Sequence, residues 1–323
     1  MKKIEMIGTK KEQISLFDIM VNTKTPAEEW SEDTAKHALD ELFNATYAYR
    51  NSKEYMEMMR FVGRFRYYSP YNAMLIRLQR PGARFVAPPN RWKRDYEHYV
   101  KPNANPIVIL QPMGPVMFVF DVSDTEPGPN ARPIPADVDR PFEAQGGVIG
   151  DELEKTIENA KRDGIRIHSQ ETGSQHAGSI QAVNKPHLPP LTFYIGKDKD
   201  GKLRHKEFLV QYELLFSGKL SRESRYATLR HELAHLYCGH LGTPNKKWWP
   251  NRLGLSHAAV EFEAESVAFL VCSRVGIQNP SESYLSNYVK ENEKLPKISL
   301  ECVMKAAGLI ENMGKVRLKQ RRI

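Results

Sequence analysis

The sequence predicts an α+β fold in two domains. The chain has 323 residues, of which 41% are hydrophobic, enough for about two domains of the usual ~150 residues. β-rich apolar runs such as Ile107–Leu110 are flanked by stretches with helical spacing, and the second half runs in the order helix, strands, helices. We therefore expect a helix-plus-sheet domain, followed by a domain in which a helix packs on a short twisted sheet.

The first half is predicted to contain helices and then a hairpin. Thr34–Phe65 has few helix breakers and carries apolar residues at helical spacing, and Tyr71–Leu78 is a second short helix. The apolar runs Pro106–Leu110 and Val116–Phe120 are typical of paired strands, with a turn at Gly114–Pro115.

A proline-rich stretch then divides the chain. Residues 124–140 contain too many prolines for a helix or a strand, which favours an interdomain linker. The last ten residues form a basic tail that we expect to be solvated. The predicted divisions are a first domain over residues 1–125, a linker over 126–148, a second domain over 149–313 and a tail over 314–323.

The second domain begins with a predicted helix over Asp151–Arg162. Ser221 is a candidate N-cap for a later helix. The predicted strands are Ile165–His168, Leu191–Ile195 and Glu207–Leu215. Further helical patterns cover Ser256–Val275, Ser283–Glu293 and Ser299–Met313.

Composition gives no indication of a membrane or secreted protein. No apolar run approaches the ~20 residues that span a bilayer, and the start lacks the apolar stretch of a signal peptide. The three cysteines are an odd number without CxxC spacing, so a disulfide framework and a cysteine zinc site are both disfavoured. We expect a cytoplasmic protein with reduced thiols and no membrane partner.

Positive charge is concentrated in one segment. The formal net charge is +8, and between Arg60 and Lys101 ten Lys or Arg stand against two acidic residues, interleaved with nine aromatic residues. This composition suits single-stranded nucleic acid, because cations attract phosphates while unpaired bases stack on aromatic rings. A solvated basic face over an aromatic core is the alternative.

The strongest chemical signal is an HExxH motif. On a helix, residues four apart share a face, so His231 and His235 can direct their imidazoles to one zinc ion. Glu232 would lie beside the metal, where a carboxylate can take a proton from an attacking water and pass it to the leaving amine. The preceding Ser221–Arg230 contains no Pro or Gly, and Gly239 offers a helix stop.

Zinc hydrolases usually have three protein ligands and leave a fourth position to water. His240 lies nine residues after His231, whereas the metzincin pattern requires ten, so its register is wrong for a ligand. The apolar helix Ala258–Phe269 instead offers Glu261 as the third ligand. Glu265, one turn later on the same face, would hold a ligand histidine through its other ring nitrogen.

Other residues near the motif leave alternatives open. Glu263 is interpreted as an exposed or structural charge, although a ligand shifted by two residues is compatible with the spacing. Solvated carboxylates on an amphipathic helix would explain the acidic residues without a metal. Cys238 is a candidate fourth ligand but is more typical of a small buried residue. His257 and Tyr226 are candidate donors to an oxyanion.

The motifs resemble a known family. The pairing of His231–His235 with Glu261–Leu270 is similar to the ArdC antirestriction proteins and, more distantly, to the ImmA/IrrE metallopeptidases. Where ArdC-like proteins commonly have a Gly-rich, Lys-rich turn after the tryptophan, this chain has Lys93–Lys101. The first half resembles the single-stranded-DNA-binding domain of these proteins over Tyr68–Ile76, Trp92, Ile107–Leu110 and Phe118–Thr125.

The resemblance implies a gluzincin-type zinc metallopeptidase domain coupled to single-stranded-DNA binding. It also implies a mobile genetic element as the context and a regulatory or defence protein as the substrate. With the basic aromatic segment, it predicts nucleic-acid contacts at Arg64, Arg66, Tyr67, Tyr68, Asn72, Arg91, Trp92, Lys93 and Arg94.

Two hypotheses from different classes follow. In the first, the protein is a zinc metalloendopeptidase whose general base is Glu232. In the second, it is a non-proteolytic DNA-binding antirestriction protein whose zinc site is structural or vestigial. A structural zinc needs no acid beside it and favours a fourth protein ligand, so Glu232 favours the enzyme. The sequence does not indicate an oligomeric state.

Overall fold

The computed structural model describes residues 52–111, 114–134, 149–170, 177–183, 188–217, 220–278, 280–291, 295–319 and 321. The fold is mixed α+β with several small sheets, which confirms the predicted class. The part of the predicted Thr34–Phe65 helix before residue 52 lies outside the described residues, as does the part of the predicted linker from 135 to 148. Within the described ranges, no helix is both long and apolar enough to cross a membrane.

Seven helices of at least ten residues are described. They are α1 Ser52–Arg64, α2 Pro70–Gln79, α3 Glu152–Arg162, α4 Arg222–Tyr237, α5 His257–Arg274, α6 Ser281–Glu291 and α7 Leu300–Lys315. The strands are β1 Val86–Ala87, β2 His98–Val100, β3 Ile107–Gln111, β4 Gly114–Asp121, β5 Thr125–Pro127, β6 Ile165–Gln170, β7 Gly178–Ala182, β8 Leu191–Lys197, β9 Leu203–Phe208 and β10 Tyr212–Ser217.

The chain divides into two units. Unit 1 comprises Met1–Tyr47 and Met74–Glu143, and unit 2 comprises Ala48–Ala73 and Ala144–Ile323. This division differs from the predicted domains, because α1 packs against α5 and therefore belongs with the second half of the chain. Its pairing with α5 is a long-range contact that helical periodicity alone does not reveal.

Unit 1 is built on two small antiparallel sheets, ordered β1-β4-β3 and β2-β5. Its core includes Phe85 and Trp92, whose rings meet edge to face with centroids 5.4 Å apart. The indole N–H of Trp92 donates to the carbonyl of Phe120 at 2.9 Å. The rings and this hydrogen bond tie the helical turn at Trp92 to β4.

The predicted strand pair exists, but the prediction of a turn at Gly114–Pro115 is wrong. β3 and β4 pair with Gln111 opposite Gly114, so Gly114–Pro115 already belongs to β4. The segment predicted as a linker also begins with a strand, β5. Pro127 is tolerated there because β5 pairs only with β2 among the described strands, which leaves the proline at a sheet edge.

In unit 2, β10 is the central strand of a three-stranded sheet. β6 pairs with it in parallel and β7 pairs with it antiparallel. The single strand predicted over Glu207–Leu215 is wrong, because β9 ends at Phe208 and pairs with β8, whereas β10 begins at Tyr212. Between Phe208 and Tyr212 the chain thus leaves the β8–β9 sheet and enters the sheet of β6, β10 and β7. β7 has the sequence Gly-Ser-Ile-Gln-Ala, which carries too weak an apolar alternation for sequence reasoning to find.

The long helices of unit 2 hold one another in place. α4 packs on β7 and β10 and also against α5, while α1 and α7 pack against α5 as well. Tyr55 of α1 donates to Ser266 Oγ of α5 at 2.7 Å. Arg274, at the end of α5, is buried; it pairs with Glu311 of α7 at 3.1 Å and donates to the Val62 carbonyl at 2.9 Å. These contacts fix the position of α5.

Within residues 314–319 and 321, most side chains of the basic tail are exposed, as predicted, but the tail is also held at three points. The side chain of Asn159 donates to the Val316 carbonyl and accepts from the Leu318 backbone N–H, each at 2.9 Å. Arg321 lies 3.2 Å from the carboxylate of Asp163. The described part of the tail, which follows α7, therefore contacts α3 and the residue that ends it.

Candidate functional site

The HExxH motif lies on α4, as predicted. Ser221 caps this helix by accepting a hydrogen bond from the Ser224 backbone N–H at 3.2 Å. The helix then runs without a break to Tyr237, so His231 and His235 share one face. That face meets α5, which carries its own acidic residues.

Ligand-type atoms of three side chains on these two helices converge. His231 Nε2 and His235 Nε2 are 3.1 Å apart. Glu261 Oε2 lies 3.6 Å from the first, and Glu261 Oε1 lies 3.8 Å from the second. In a tetrahedral site with ligands at about 2.0–2.1 Å from a metal, ligand atoms are separated by about 3.3–3.4 Å. The three side chains thus have the spacing of three corners of such a site.

Groups behind the two histidines favour a proton on the ring nitrogens that face away from Glu261. Glu265 Oε1 lies 3.4 Å from His231 Nδ1, which favours a proton on that nitrogen. His235 Nδ1 lies 3.2 Å from His240 Nδ1. With Nδ1 protonated in both rings, each Nε2 presents a lone pair to the other and to the Glu261 carboxylate. A cation between these three electron-pair donors would be bound by all of them.

His235 has the protonation state that a metal ligand requires. Burial, followed by the neighbouring His231 and His240, lowers the pKa of His235 to about 3. Its imidazole is therefore neutral at physiological pH and its lone pair is available.

Glu232 occupies a different position from the three converging residues. Its side chain is buried against the sheet, and the backbone N–H of Ile180 in β7 hydrogen bonds to its carboxylate. Burial, followed by the negative charge of Glu261, raises the pKa of Glu232 to about 7. A Cβ on Gly178 would overlap Thr228 of α4, so glycine lets β7 approach the helix closely. The carboxylate of Glu232 thus lies close to Glu261, with a pKa near neutrality.

No family model, curated protein or solved structure matches this chain.

A second buried group of ligand-type residues adjoins the first: Cys238, His240 and Glu263. Of the two predicted roles of Glu263, exposed or structural charge, the structure supports the second, because its side chain is fully buried. Arg252 donates two hydrogen bonds to its carboxylate at 2.5 and 2.7 Å, and the Ser299 backbone N–H donates at 2.6 Å. A metal at this carboxylate would have to displace the guanidinium.

The thiol of this second group is also a poor ligand. Burial raises the pKa of Cys238 well above its usual value, and Glu263 raises it further. A protonated thiol does not bind a metal well. The convergence of His231, His235 and Glu261 is thus the better metal site.

The two residues predicted to donate to an oxyanion differ in their exposure. Tyr226 is buried beneath the guanidinium of Arg230, which lies 3.1 Å from its ring centroid, so it belongs to the core. His257 is exposed, with Nδ1 3.9 Å from Glu261 Oε1. Sequence reasoning missed Tyr284 of α6, which is partly exposed; burial, Glu261 and Glu265 together raise its pKa. His257 and Tyr284 are therefore the candidate donors beside the site.

Five of the predicted nucleic-acid contacts lie in unit 2. Arg64 is exposed and its guanidinium lies 5.1 Å from the centroid of an aromatic ring in α1. Arg66 is exposed and donates to a carbonyl of α5 at 3.2 Å. Tyr67 is 47% exposed, whereas Tyr68 and Asn72 are partly buried.

The other four contacts lie in unit 1. Lys93 and Arg94 are exposed, and Arg91 is partly buried. Arg91 and Arg94 both pair with Asp95, at 3.4 and 2.6 Å. The prediction that Trp92 stacks on a base does not fit the structure, because its ring is completely buried in the core of unit 1. A tryptophan between cations had suggested stacking, but its neighbours in space are other aromatic rings.

Proposed function

We propose that the protein is a zinc-dependent metalloendopeptidase of the gluzincin type, as its resemblance to ArdC-like proteins implies. The observation that carries the proposal is the convergence of two imidazole nitrogens and one carboxylate within 3.1–3.8 Å of one another. Two nitrogen donors and one oxygen donor with an open fourth position are the ligand set of catalytic zinc in peptidases.

Each side chain has a role in the proposed hydrolysis. His231, His235 and Glu261 would hold the zinc ion. When bound, the ion supplies Lewis acidity, which polarises a substrate carbonyl and lowers the pKa of a coordinated water. Glu232 takes a proton from the attacking water and delivers it to the amine that leaves as the peptide bond breaks. His257 is a candidate hydrogen-bond donor to the carbonyl oxygen.

The peptide would bind in an extended conformation along β7. Among the described strands, β7 pairs only with β10, so its other edge offers backbone hydrogen-bonding groups besides the Ile180 N–H, which binds Glu232. Glu232 contacts this strand through the Ile180 N–H. An extended peptide that adds to this edge would pass beside both the metal ligands and the proton acceptor.

The peptidase proposal is tested with zinc-loaded protein and a defined mixture of unstructured peptides, whose new termini are identified by mass spectrometry. We expect cleavage that 1,10-phenanthroline abolishes and that added zinc restores. The assay is run with and without a single-stranded oligonucleotide. Fully metal-loaded protein that cleaves no peptide under either condition would support the non-proteolytic alternative.

We further propose that single-stranded DNA is a partner of the protein. The exposed cations Lys93 and Arg94, together with Tyr99, which is 46% exposed, favour this second activity in unit 1. Cations with an accessible aromatic ring suit phosphates and unpaired bases. The mobile-element context and a defence or regulatory protein as substrate follow from the family resemblance.

DNA binding should weaken steeply as salt rises. Each phosphate contact contributes a slope of about −0.7 in log affinity against log salt for a single strand. Replacing Lys93 and Arg94 with alanine should lower affinity for an oligonucleotide, measured by fluorescence anisotropy, and make this slope shallower. Lys246→Ala is the control, since this exposed lysine lies in unit 2. An unchanged slope in the double variant would remove these residues from the interface.

A further inference from the structure

The turn that ends α4 places a third histidine, His240, against His235 of the candidate metal site. Gly239 has φ +83°, and a Cβ there would overlap the Pro250 carbonyl oxygen, so this turn requires glycine. The backbone N–H of Gly239 donates to the Leu236 carbonyl and that of His240 donates to the His235 carbonyl, each at 2.9 Å. This is a Schellman motif. It turns the chain back so that His240 lies behind His235.

The hydrogen bonds of His240 have a defined direction. Its Nε2 lies 2.9 Å from Glu263 Oε2, and an ionised carboxylate can only accept, so Nε2 carries the proton. The other nitrogen of a neutral His240 is then an acceptor. It lies 3.2 Å from His235 Nδ1, which must therefore be the donor. The proton of His235 is held at Nδ1, and its Nε2 lone pair faces His231 and Glu261.

Glu263 anchors this chain of hydrogen bonds. Its carboxylate accepts two hydrogen bonds from Arg252, at 2.5 and 2.7 Å. Arg252 comes from the loop between α4 and α5 and also donates to the Cys238 carbonyl at 3.2 Å. The backbone N–H of Ser299, the N-cap of α7, supplies a further donor. The carboxylate is thus fixed by four donor atoms outside α5.

The two histidines of the site are therefore supported differently. His231 Nδ1 faces the carboxylate of Glu265 directly, at 3.4 Å. His235 reaches its carboxylate, Glu263, only through the intervening ring of His240. His240 thus connects His235 to the carboxylate of Glu263, which is buried, paired with Arg252 and not in contact with His235.

We propose that His240 and Glu263 are positioning residues that hold His235 as its Nδ1–H tautomer for metal binding. The proposal rests on the proposed metal site and assigns His240 to the support of a ligand rather than to the metal. Residues that orient a metal-binding histidine typically change metal affinity by about 10–100-fold when they are replaced.

The tautomer is tested first on the metal-free, full-length protein with ¹⁵N-labelled histidine. Ring-nitrogen chemical shifts from long-range ¹H–¹⁵N spectra distinguish Nδ1–H from Nε2–H, and single-histidine variants assign the signals. We expect His235 to be the Nδ1–H form and His240 the Nε2–H form. His235 protonated at Nε2 in the wild-type protein would overturn the proposal, whatever the variants do.

Zinc affinity and the absorption spectrum of the cobalt-substituted protein test the consequence. His240→Ala should lower zinc affinity about 10–100-fold and alter the cobalt spectrum. His240→Asn should recover most of the affinity, because its carbonyl oxygen can accept from His235. His205→Asn, at an exposed histidine of β9, is the matched control.

The outcomes separate this proposal from the proposed function. Folded His240→Ala with wild-type zinc affinity and an unchanged cobalt spectrum would show that His240 does not position His235. Wild-type protein that binds no zinc would instead refute the metal site, while the tautomer measurement would still report on His240.

Discussion

Replacing Glu232 with glutamine is expected to reduce peptide hydrolysis by about 100- to 10,000-fold, the contribution of a general base. Zinc content should stay at the wild-type level, because the carboxylate lies beside the three converging ligand atoms and not among them. Glutamine has nearly the same shape and no charge. Since burial already disfavours the ionised carboxylate, the substitution should not lower the thermal unfolding temperature.

The control for this variant is Glu223→Gln, which changes an exposed glutamate in the first turn of the same helix. Its rate and metal content should equal those of the wild type. A Glu232→Gln protein that is folded, metal-loaded and fully active would remove Glu232 from the chemistry. Loss of metal together with activity would mean that Glu232 is a ligand.

Replacing Glu261 with alanine should have the largest effect on metal binding. It removes one of three ligands and should weaken zinc binding by more than the roughly 10–100-fold that supporting residues contribute. It also removes the negative charge that contributes to the raised pKa of Glu232. Competition with a chromophoric zinc chelator measures the dissociation constant.

A graded series gives this prediction its control. Glu265→Gln should weaken zinc binding by about 10–100-fold, because this residue faces a ligand histidine and not the metal. Glu301→Gln should have no effect, since this exposed carboxylate pairs only with Lys305 among the contacts described. Equal affinities for Glu261→Ala and the wild type would move the oxygen ligand elsewhere.

The sequence predicted the part of the site that follows from helical geometry. Residues four apart face the same way, so His231 with His235, and Glu261 with Glu265, could be paired without any tertiary information. Gly239 was recognised as a helix stop for a similarly local reason. The choice between Glu261 and Glu263 was less secure, because it depends on the angle at which α5 meets α4.

The rest of the site depends on contacts between distant residues. Glu263 is buried because Arg252, from a loop, supplies a counter-charge, and no local pattern predicts that pairing. His240 was disfavoured as a ligand by its register, and its contact with His235 appears only when the Schellman turn is built. Trp92 was assigned to a DNA surface because burial cannot be read from its charged neighbours in sequence.

X-ray absorption at the zinc edge can detect a zinc ion held by His231, His235 and Glu261. Wild-type protein loaded with about one zinc per chain should show nitrogen and oxygen neighbours at about 2.0–2.2 Å, including imidazole scattering, and no sulfur neighbour at about 2.3 Å. A sulfur neighbour would place the metal at Cys238. Folded protein that retains far less than one zinc per chain would contradict the proposed zinc site altogether.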